Sequence, residues 1–326
     1  VIPVAIVFDL PEKLSHERNR ARPERDFGPQ VVHRQLQDLR RSLGSLQKEG
    51  FRHVHVLRSP EEVDAVSVVR EPLYSHKHAE HGPFDIIGDV HGCFDELVAL
   101  LERLEYTVDE DDQAPFRLAV TPPVGRKAVF LGDLVDRGPK VADVLHLVMS
   151  MVETGAALCV PGNHETKLLR ALNGRNVQMT HGLPESLAQL ASEPPAFVEQ
   201  VKRFIDSLTS HYVLDDGKLV VAHAGLKQEM HGRGSRRVRD FAQYGETTGE
   251  TDEYGLPVRY PWAQDYRGGA MVVYGHTPVP EPQWLNNTIC LDTGCVFGGK
   301  LTALRYPEKQ LVSIPAARVS TSRSDR

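Results

Sequence analysis

The sequence is short of cysteine, of long apolar runs and of positive charge. Its four cysteines, Cys93, Cys159, Cys290 and Cys295, are scattered over 326 residues. They are too few for a disulfide framework, and the lack of a Cys-x-x-Cys pair argues against a structural zinc site. Reduced thiols in a cytoplasmic protein are the expectation. No apolar stretch approaches the roughly 18 residues a spanning helix needs, so no membrane partner is expected. The opening run Val1–Phe8 is apolar, but no basic flank precedes it and no small-residue cleavage site follows. It reads as a strand and not as a signal peptide. The net charge of −6 argues against tight non-specific nucleic-acid binding by the whole surface, while leaving room for a local basic groove. The chain begins without Met, which leads us to expect a fragment. What the sequence has in quantity is histidine, fifteen residues, several of them at the ends of apolar runs.

Residues 1–70 differ from the rest. A strand-like run ends at Phe8-Asp9, and a basic loop follows with Arg18, Arg20, Arg22 and Arg25. Val32, Leu36, Leu39, Leu43 and Leu46 then recur at spacings of three and four, one face of an amphipathic helix ended by Gly50. Val54–Leu57 reads as a second strand. This is a piece of an α/β domain. Residues 71–83 have no periodicity and two prolines, so they read as a linker, with His76, His78 and His81 as linker residues and not ligands. A domain is expected over 84–312, and a disordered tail over 313–326.

From Phe84 onward a short apolar run repeatedly meets a tight polar turn. Phe84–Ile87 leads to Gly88-Asp89, Ala128–Leu131 to Gly132-Asp133, and Ala157–Val160 to Pro161-Gly162-Asn163-His164. Leu219–Ala222 leads to His223, Met271–Tyr274 to Gly275-His276, and Ile289–Leu291 to Asp292. Runs of this length bounded by glycine read as buried strands. Helical patterns over Phe94–Leu104, Val141–Val152 and Glu165–Leu172 alternate with them, which predicts a layered α/β domain. Gly298-Gly299 reads as a hairpin turn between Thr293–Phe297 and Leu301–Tyr306.

Ligands of open α/β sheets bind at the carboxyl ends of strands. Here those ends carry Asp89, His91, Asp133, Asn163, His164, His223, His276 and Asp292. Carboxylate, imidazole and amide oxygens together suit Mn²⁺, Fe²⁺ or Zn²⁺ better than Ca²⁺. A single carboxylate can bridge two ions about 3.5–4 Å apart with a nucleophilic hydroxide between them, the arrangement used for phosphoryl transfer. Such a centre also needs an acid for the leaving oxygen and a cation for the remaining oxygens. His164 and Arg137 stand in turns of the right kind. A lone Gly-Asp turn means little, but six strand ends of one pattern are not independent accidents.

Three blocks, Gly88-Asp89-Val90-His91-Gly92, Gly132-Asp133-Leu134-Val135-Asp136-Arg137-Gly138 and Gly162-Asn163-His164-Glu165, resemble the signatures of the calcineurin-like metallophosphoesterases. His223 and Gly275-His276-Thr277 complete the set, and the likeness covers about 84–306. The resemblance implies a layered β-sandwich flanked by helices and a binuclear centre. Asp89, His91 and Asp133 would hold one ion, and Asp133, Asn163, His223 and His276 the other. His164 would be the acid, Arg137 and Asn163 would contact phosphate, and Asp136 would support His164 or Arg137. Two divalent cations are implied, Mn²⁺ first, with Ni²⁺, Fe²⁺ or Zn²⁺ open.

A narrower likeness extends from Phe84 to Leu97 and from Leu291 to Gly299. Both stretches resemble the phosphatase module of bacterial polynucleotide kinase–phosphatases, which repair RNA, and this likeness adds Asp292 to the active site. The segment Glu17–Gly28 resembles the lid of that family's kinase module, where Arg18, Arg20, Arg22 and Arg25 would reach a nucleotide or RNA. Residues 1–70 would then be the end of a P-loop-kinase-like domain. The phosphate-loop pattern G-x-x-x-x-G-K-[ST] is not found, so the kinase start upstream and an adenylyltransferase module downstream are expected to be missing. The expected activity is hydrolysis of 3'-phosphates and 2',3'-cyclic phosphates at RNA ends. The alternatives are a protein serine/threonine phosphatase, a dinucleoside tetraphosphate hydrolase, and a non-catalytic nucleic-acid-binding module using Arg18–Arg25.

Overall fold

The structure is a computed structural model that describes residues 4–22, 24, 27–51, 53–69, 71–111, 115–251 and 257–321. It divides into two compact units, Val1–Pro72 and Leu73–Arg326. In the first unit, β1 (Val4–Phe8) and β2 (His53–Leu57) pair in parallel, with Val4 opposite His53. Helices α1 (Glu12–Arg20) and α2 (Pro29–Ser42) connect them, and α3 (Pro60–Ala65) follows. The Ser59 hydroxyl accepts the Glu62 N–H at 3.2 Å and caps α3, satisfying one of the donors every helix start leaves open.

Two expectations for this unit need correction. The basic stretch is not a loop throughout: α1 continues through Arg18 and Arg20, whose charges suit the negative end of a helix. Arg22 follows the helix, and Arg25 lies outside the described residues. The amphipathic helix ends at Ser42 and not at Gly50. Ser42 Oγ turns back on the Leu39 carbonyl at 2.8 Å and Ser45 Oγ on the Ser42 carbonyl at 2.9 Å, and such side-chain bonds compete with helix propagation.

The second unit holds two main sheets. One runs in the order β14 (Trp284–Leu285), β15 (Thr288–Cys290), β13 (Met271–Tyr274), β10 (Leu219–Ala222), β9 (His211–Leu214), β3 (His76–Lys77). The other runs β17 (Gln310–Pro315), β16 (Lys300–Tyr306), β4 (Phe84–Ile87), β7 (Lys127–Phe130), β8 (Ala157–Cys159). Two small hairpins, β5 (Thr107–Glu110) with β6 (Leu118–Thr121) and β11 (Thr247–Thr251) with β12 (Pro257–Arg259), stand apart from them.

Strand alternation explains the layering. Phe84, Ile86, Val129, Leu131 and Leu158 point between the sheets and meet Leu214, Leu219, Val221, Val273 and Ile289 in one buried cluster. Their alternates, Ile87, Ala128, Phe130 and Ala303, face the other way, toward α4 (Phe94–Arg103), α5 (Val141–Glu153), α7 (Leu183–Ala191) and α8 (Pro195–Ser207). On the far side of the first sheet, Val220, Ala222 and Val272 pack on α9 (Arg236–Tyr244) and α10 (Trp262–Asp265). The result is the layered α/β fold expected, a sandwich with helices outside. Each fully buried Leu, Ile or Val contributes roughly 1.5–3 kcal/mol.

Two further expectations give way here. The stretch 71–83 is not simply a linker. His76–Lys77 forms β3, parallel to β9, and His76 Nε2 lies 2.8 Å from the Gly232 carbonyl. A two-residue strand is too short for any periodicity to show. Nor do Gly298-Gly299 join two strands: Cys295–Phe297 is a single 3-10 turn, and the hairpin is β16 with β17. Of the tail, residues 313–315 complete β17 and 322–326 lie outside the described residues. Among the described residues no helix is long and apolar enough to cross a membrane.

Candidate metal centre

The six sequence-predicted strand ends converge. Strands β4, β7 and β8 run parallel to one another, as do β10, β13 and β15. Their carboxyl ends therefore open at common edges, the position where α/β sheets bind ligands. Two hydrogen bonds tie the sheets together there. The His276 N–H donates to Asp89 Oδ2 at 3.0 Å, and His223 Nδ1–H donates to the Leu131 carbonyl at 2.9 Å.

Asp133 lies at the centre. Its Oδ2 is 3.5 Å from His91 Nε2, 3.4 Å from His223 Nε2 and 3.9 Å from His164 Nε2. Its Oδ1 accepts the His164 N–H at 3.2 Å. His91 Nδ1 donates to the Val135 carbonyl at 2.7 Å. A carbonyl can only accept, so in both His91 and His223 the proton is on Nδ1 and Nε2 carries a lone pair. Burial holds both rings neutral: His91 lies well below the usual histidine range, with Arg137 adding to the effect, and His223 is pushed down to about 4. Two bare imidazole nitrogens therefore face one carboxylate oxygen.

More polar atoms crowd in. The acceptor Asn163 Oδ1 is 3.1 Å, and His276 Nδ1 3.0 Å, from His223 Nε2. Among the described residues, the buried Asp89 Oδ1 and His276 Nε2 have no hydrogen-bond partner. Burial and the neighbouring Asp292 and Asp133 raise the Asp89 carboxyl well above its ordinary range. Converging lone pairs and like charges in a dry site are unfavourable unless a cation lies among them. The donor set thus fits divalent cations. Two candidate ligand groups share Asp133: His91, Asp133 and His164, and Asp133, His223 and His276. Sequence reasoning put Asp89, not His164, with the first group.

His164 has a second relationship. Its Nδ1 lies 2.6 Å from Asp136 Oδ2, and the Ser186 hydroxyl donates to Asp136 Oδ1 at 2.6 Å. Burial raises the Asp136 carboxyl to about 6 and holds His164 well below the ordinary histidine range. Arg137 Nη1 lies 3.2 Å from His91 Nε2, and its guanidinium stands 5.1 Å from the Phe297 ring centroid. Asp292 is buried, and its Oδ1 accepts the Gly294 N–H at 3.0 Å.

The turns themselves are strained. His91, Asp133, Asp136, Arg137 and His276 all have positive φ, between 45° and 73°, which costs non-glycine residues of order 1–3 kcal/mol each. Glu165 holds the Asp133 turn in place. Its carboxylate accepts the N–H groups of Asp133 (2.8 Å), Leu134 (2.8 Å), Val135 (3.2 Å) and Gly162 (2.7 Å). Two glycines give the carboxylates room: a Cβ at Gly162 would meet Asp133 Oδ1 at 2.1 Å, and one at Gly275 would meet Asp89 Oδ1 at 1.9 Å.

Sequence reasoning missed Glu165 and Ser186 as site residues. Glu165 carried a signal, since it follows Gly162 at the spacing of a helix-capping carboxylate. Ser186, on α7, carried none. Of the expected lid, Arg18 and Arg20 are exposed on α1 and Arg22 is exposed beyond it. They belong to the first unit, whereas the residues described above belong to the second.

Comparison with known proteins gives the arrangement a family. The calcineurin-like phosphoesterase profile matches residues 82–298. The bis(5'-nucleosyl)-tetraphosphatase PrpE [asymmetrical] of Anoxybacillus flavithermus is 47% identical over 237 residues, 72% of this chain and 94% of that protein. The corresponding protein of Bacillus subtilis is 45% identical over 238 residues, again 72% of this chain, and 95% of that protein. A crystal structure carrying a provisional diadenosine tetraphosphatase assignment is 27% identical, with a TM-score of 0.52, over 74% of this chain and 96% of that one. These relatives bear the name of the expected alternative and not of a polynucleotide kinase–phosphatase, and none points to a kinase or adenylyltransferase. The chain belongs to the calcineurin-like phosphoesterase family, whose members use divalent metals.

Proposed function

We propose that this chain hydrolyses a phosphoric anhydride of a nucleotide, a dinucleoside tetraphosphate being its leading substrate. The observation that carries the chemistry is the shared Asp133 carboxylate, faced by the bare Nε2 atoms of His91 and His223 at 3.5 and 3.4 Å. The substrate class is supported by relatives that match most of their own length at 45–47% identity.

In this reading Asp89, His91 and Asp133 would hold one divalent cation, and Asp133, Asn163, His223 and His276 would hold the other, with Mn²⁺ the first candidate and Ni²⁺, Fe²⁺ or Zn²⁺ next. When bound, the ions activate water and neutralise phosphoryl charge. The residues of the chain do the rest. Arg137 and Asn163 orient the phosphoryl oxygens, and Phe297 steadies the guanidinium through a cation–π contact. His164 Nε2 protonates the leaving oxygen as the phosphorus–oxygen bond breaks and water's oxygen joins phosphorus. Asp136 keeps the imidazole turned so that Nε2 faces the site, and its carboxylate favours the doubly protonated ring that burial opposes. Asp292, close to Asp89, adds negative charge that strengthens cation binding.

A second reading, hydrolysis at RNA 3' ends, is favoured by one observation. Outside the family match the chain carries a separate α/β unit whose helix exposes Arg18 and Arg20. Both readings suit a cytoplasmic enzyme.

The test compares rates, with Mn²⁺ present, on diadenosine tetraphosphate, an RNA bearing a 3'-phosphate, a 2',3'-cyclic nucleotide and a phosphopeptide. We expect fastest turnover of the dinucleotide, with ATP and AMP as products. Fastest turnover of the RNA or cyclic phosphate would install the second reading, and preference for the phosphopeptide would overturn both.

A further inference from the structure

An aromatic cavity adjoins the metal centre and has no part in the chemistry described above. It measures about 250 Å³, and Tyr244, Arg259, Tyr260, Trp262, Tyr274 and His276 are among its lining residues. His276 is also one of the residues proposed to hold metal, so the cavity begins where the centre ends. Its floor is rigid. Trp262 is buried and packs against the backbone of Gly225 so closely that a Cβ there would meet the indole at 1.9 Å. Tyr274 lies 5.1 Å from Trp262, centroid to centroid. The rings nearer the surface, Tyr244 and Tyr260, stay 38% and 37% exposed.

The cavity also holds polar groups. Arg259 Nη1 donates to the Tyr244 carbonyl. Its guanidinium is close enough to the centre to depress the basicity of His223 and His276. Among the described residues it forms no ion pair with a carboxylate. The Tyr260 hydroxyl donates to Asp265 Oδ2, and Lys227 Nζ stands 5.4 Å from the Tyr260 ring centroid.

Size and chemistry narrow the occupant. Small-molecule pockets usually span ~300–1,000 Å³, and this one lies just below that range, which suits a single ring system. Flat aromatic walls with a nearby cation select a planar, polarisable ring tethered to negative charge. A phosphate at the metal centre would carry such a ring on its own nucleoside.

We propose that this cavity is a nucleobase subsite, in which the base of the nucleotide whose phosphate is cleaved stacks against Tyr244 and Tyr260 over the Trp262 floor. The proposal rests on the nucleotide-hydrolase reading and names how that substrate is recognised. It gives the enzyme a preference for nucleotides over phosphate compounds without a ring. Stacking tolerates any base, so discrimination among bases is expected to be weak.

The test has a binding arm and a kinetic arm. The chain has two tryptophans, and Trp284→Phe leaves Trp262 as the only one. In that background, with metal held constant, AMP should quench the indole emission saturably and ribose 5-phosphate should not. Tyr260→Ala should weaken AMP binding by about tenfold, within the share of one base–aromatic stack, and Tyr260→Phe should restore it. In the kinetic arm, Tyr260→Ala should raise KM for diadenosine tetraphosphate by a similar factor. Its kcat should stay within about twofold, and hydrolysis of inorganic tripolyphosphate should be unchanged. Equal quenching by ribose 5-phosphate, or an equal loss on both substrates, would overturn the subsite. Failure of the wild-type protein to cleave the dinucleotide would overturn the hydrolase reading alone, because AMP quenching sensitive to Tyr260 would still establish the subsite.

Discussion

Asp136 Oδ2 lies 2.6 Å from His164 Nδ1, and its other oxygen is held by the Ser186 hydroxyl at the same distance. The carboxylate is buried and shared between an imidazole and a hydroxyl, so it fixes both the tautomer and the direction of the ring. His164→Ala should cut turnover by roughly 10²–10⁴, the share of a general acid, while bound metal per chain stays unchanged. Metal analysis alongside kinetics checks this. If metal is lost together with activity, His164 is a ligand, as its grouping with His91 and Asp133 allows. Ser186→Ala should cost less, lowering kcat with KM little changed.

Glu165 is the principal support of the Asp133 turn. Removing its side chain leaves four backbone N–H groups without their acceptor, at about 1–3 kcal/mol for each that stays buried and unpaired. Glu165→Ala should therefore lower stability by several kcal/mol and loosen metal binding. Glu165→Gln keeps one acceptor oxygen and should cost roughly half as much. Denaturant midpoints for the two variants check the ranking, and equal stabilities would remove the clamp from its role.

Metal removal should destabilise the protein as well as silence it. A ligand that binds only the native state at a hundred times its Kd stabilises by about 2.7 kcal/mol per site. Dialysis against a chelator should lower Tm, and adding back Mn²⁺, Ni²⁺, Fe²⁺ or Zn²⁺ should restore it in an order that ranks the ions. An unchanged Tm on chelation and reloading would count against a native-state metal centre.

His211 gives stability a pH dependence separate from the metal ligands. It is buried on β9, and its Nε2 accepts the Gly232 N–H at 3.1 Å. Burial, aided by His231 and His76, pushes its pKa down to about 4, below the ~6.5 of an unfolded chain. Folding therefore favours the neutral ring. The contribution is full above about pH 6.5 and is lost as pH falls toward 4. His211→Gln should flatten the stability curve across that window relative to wild type. The difference between the two curves is the readout, and parallel curves would show that His211 does not titrate on unfolding.

Most of the groups proposed to react could be named from the sequence because each rides on a short local block. Gly88-Asp89, Gly132-Asp133 and Gly162-Asn163 stand at the ends of buried strands, where a Cβ on the glycine would strike the Leu291 carbonyl, the Gly162 backbone or the Asp133 carboxylate. The runs Phe84–Ile87, Leu219–Ala222 and Met271–Tyr274 matched their strands residue for residue, since apolar content and flanking glycine are local properties. The family followed from those blocks. The choice among substrates did not, because the same ligands serve any phosphate.

The sequence by itself determined which residue types stand at the strand ends, and hence that a metal-dependent phosphoesterase centre was to be expected. Only the tertiary structure decided how those ends meet. The order of strands in the two sheets brings Asp89 to His276 and Leu131 to His223 across a sandwich, and strand order is not written in any local pattern. The same holds for Ser186, Glu165 and the cavity over Trp262. Their roles depend on distances between segments tens of residues apart, and those distances are set by burial of both sheet faces.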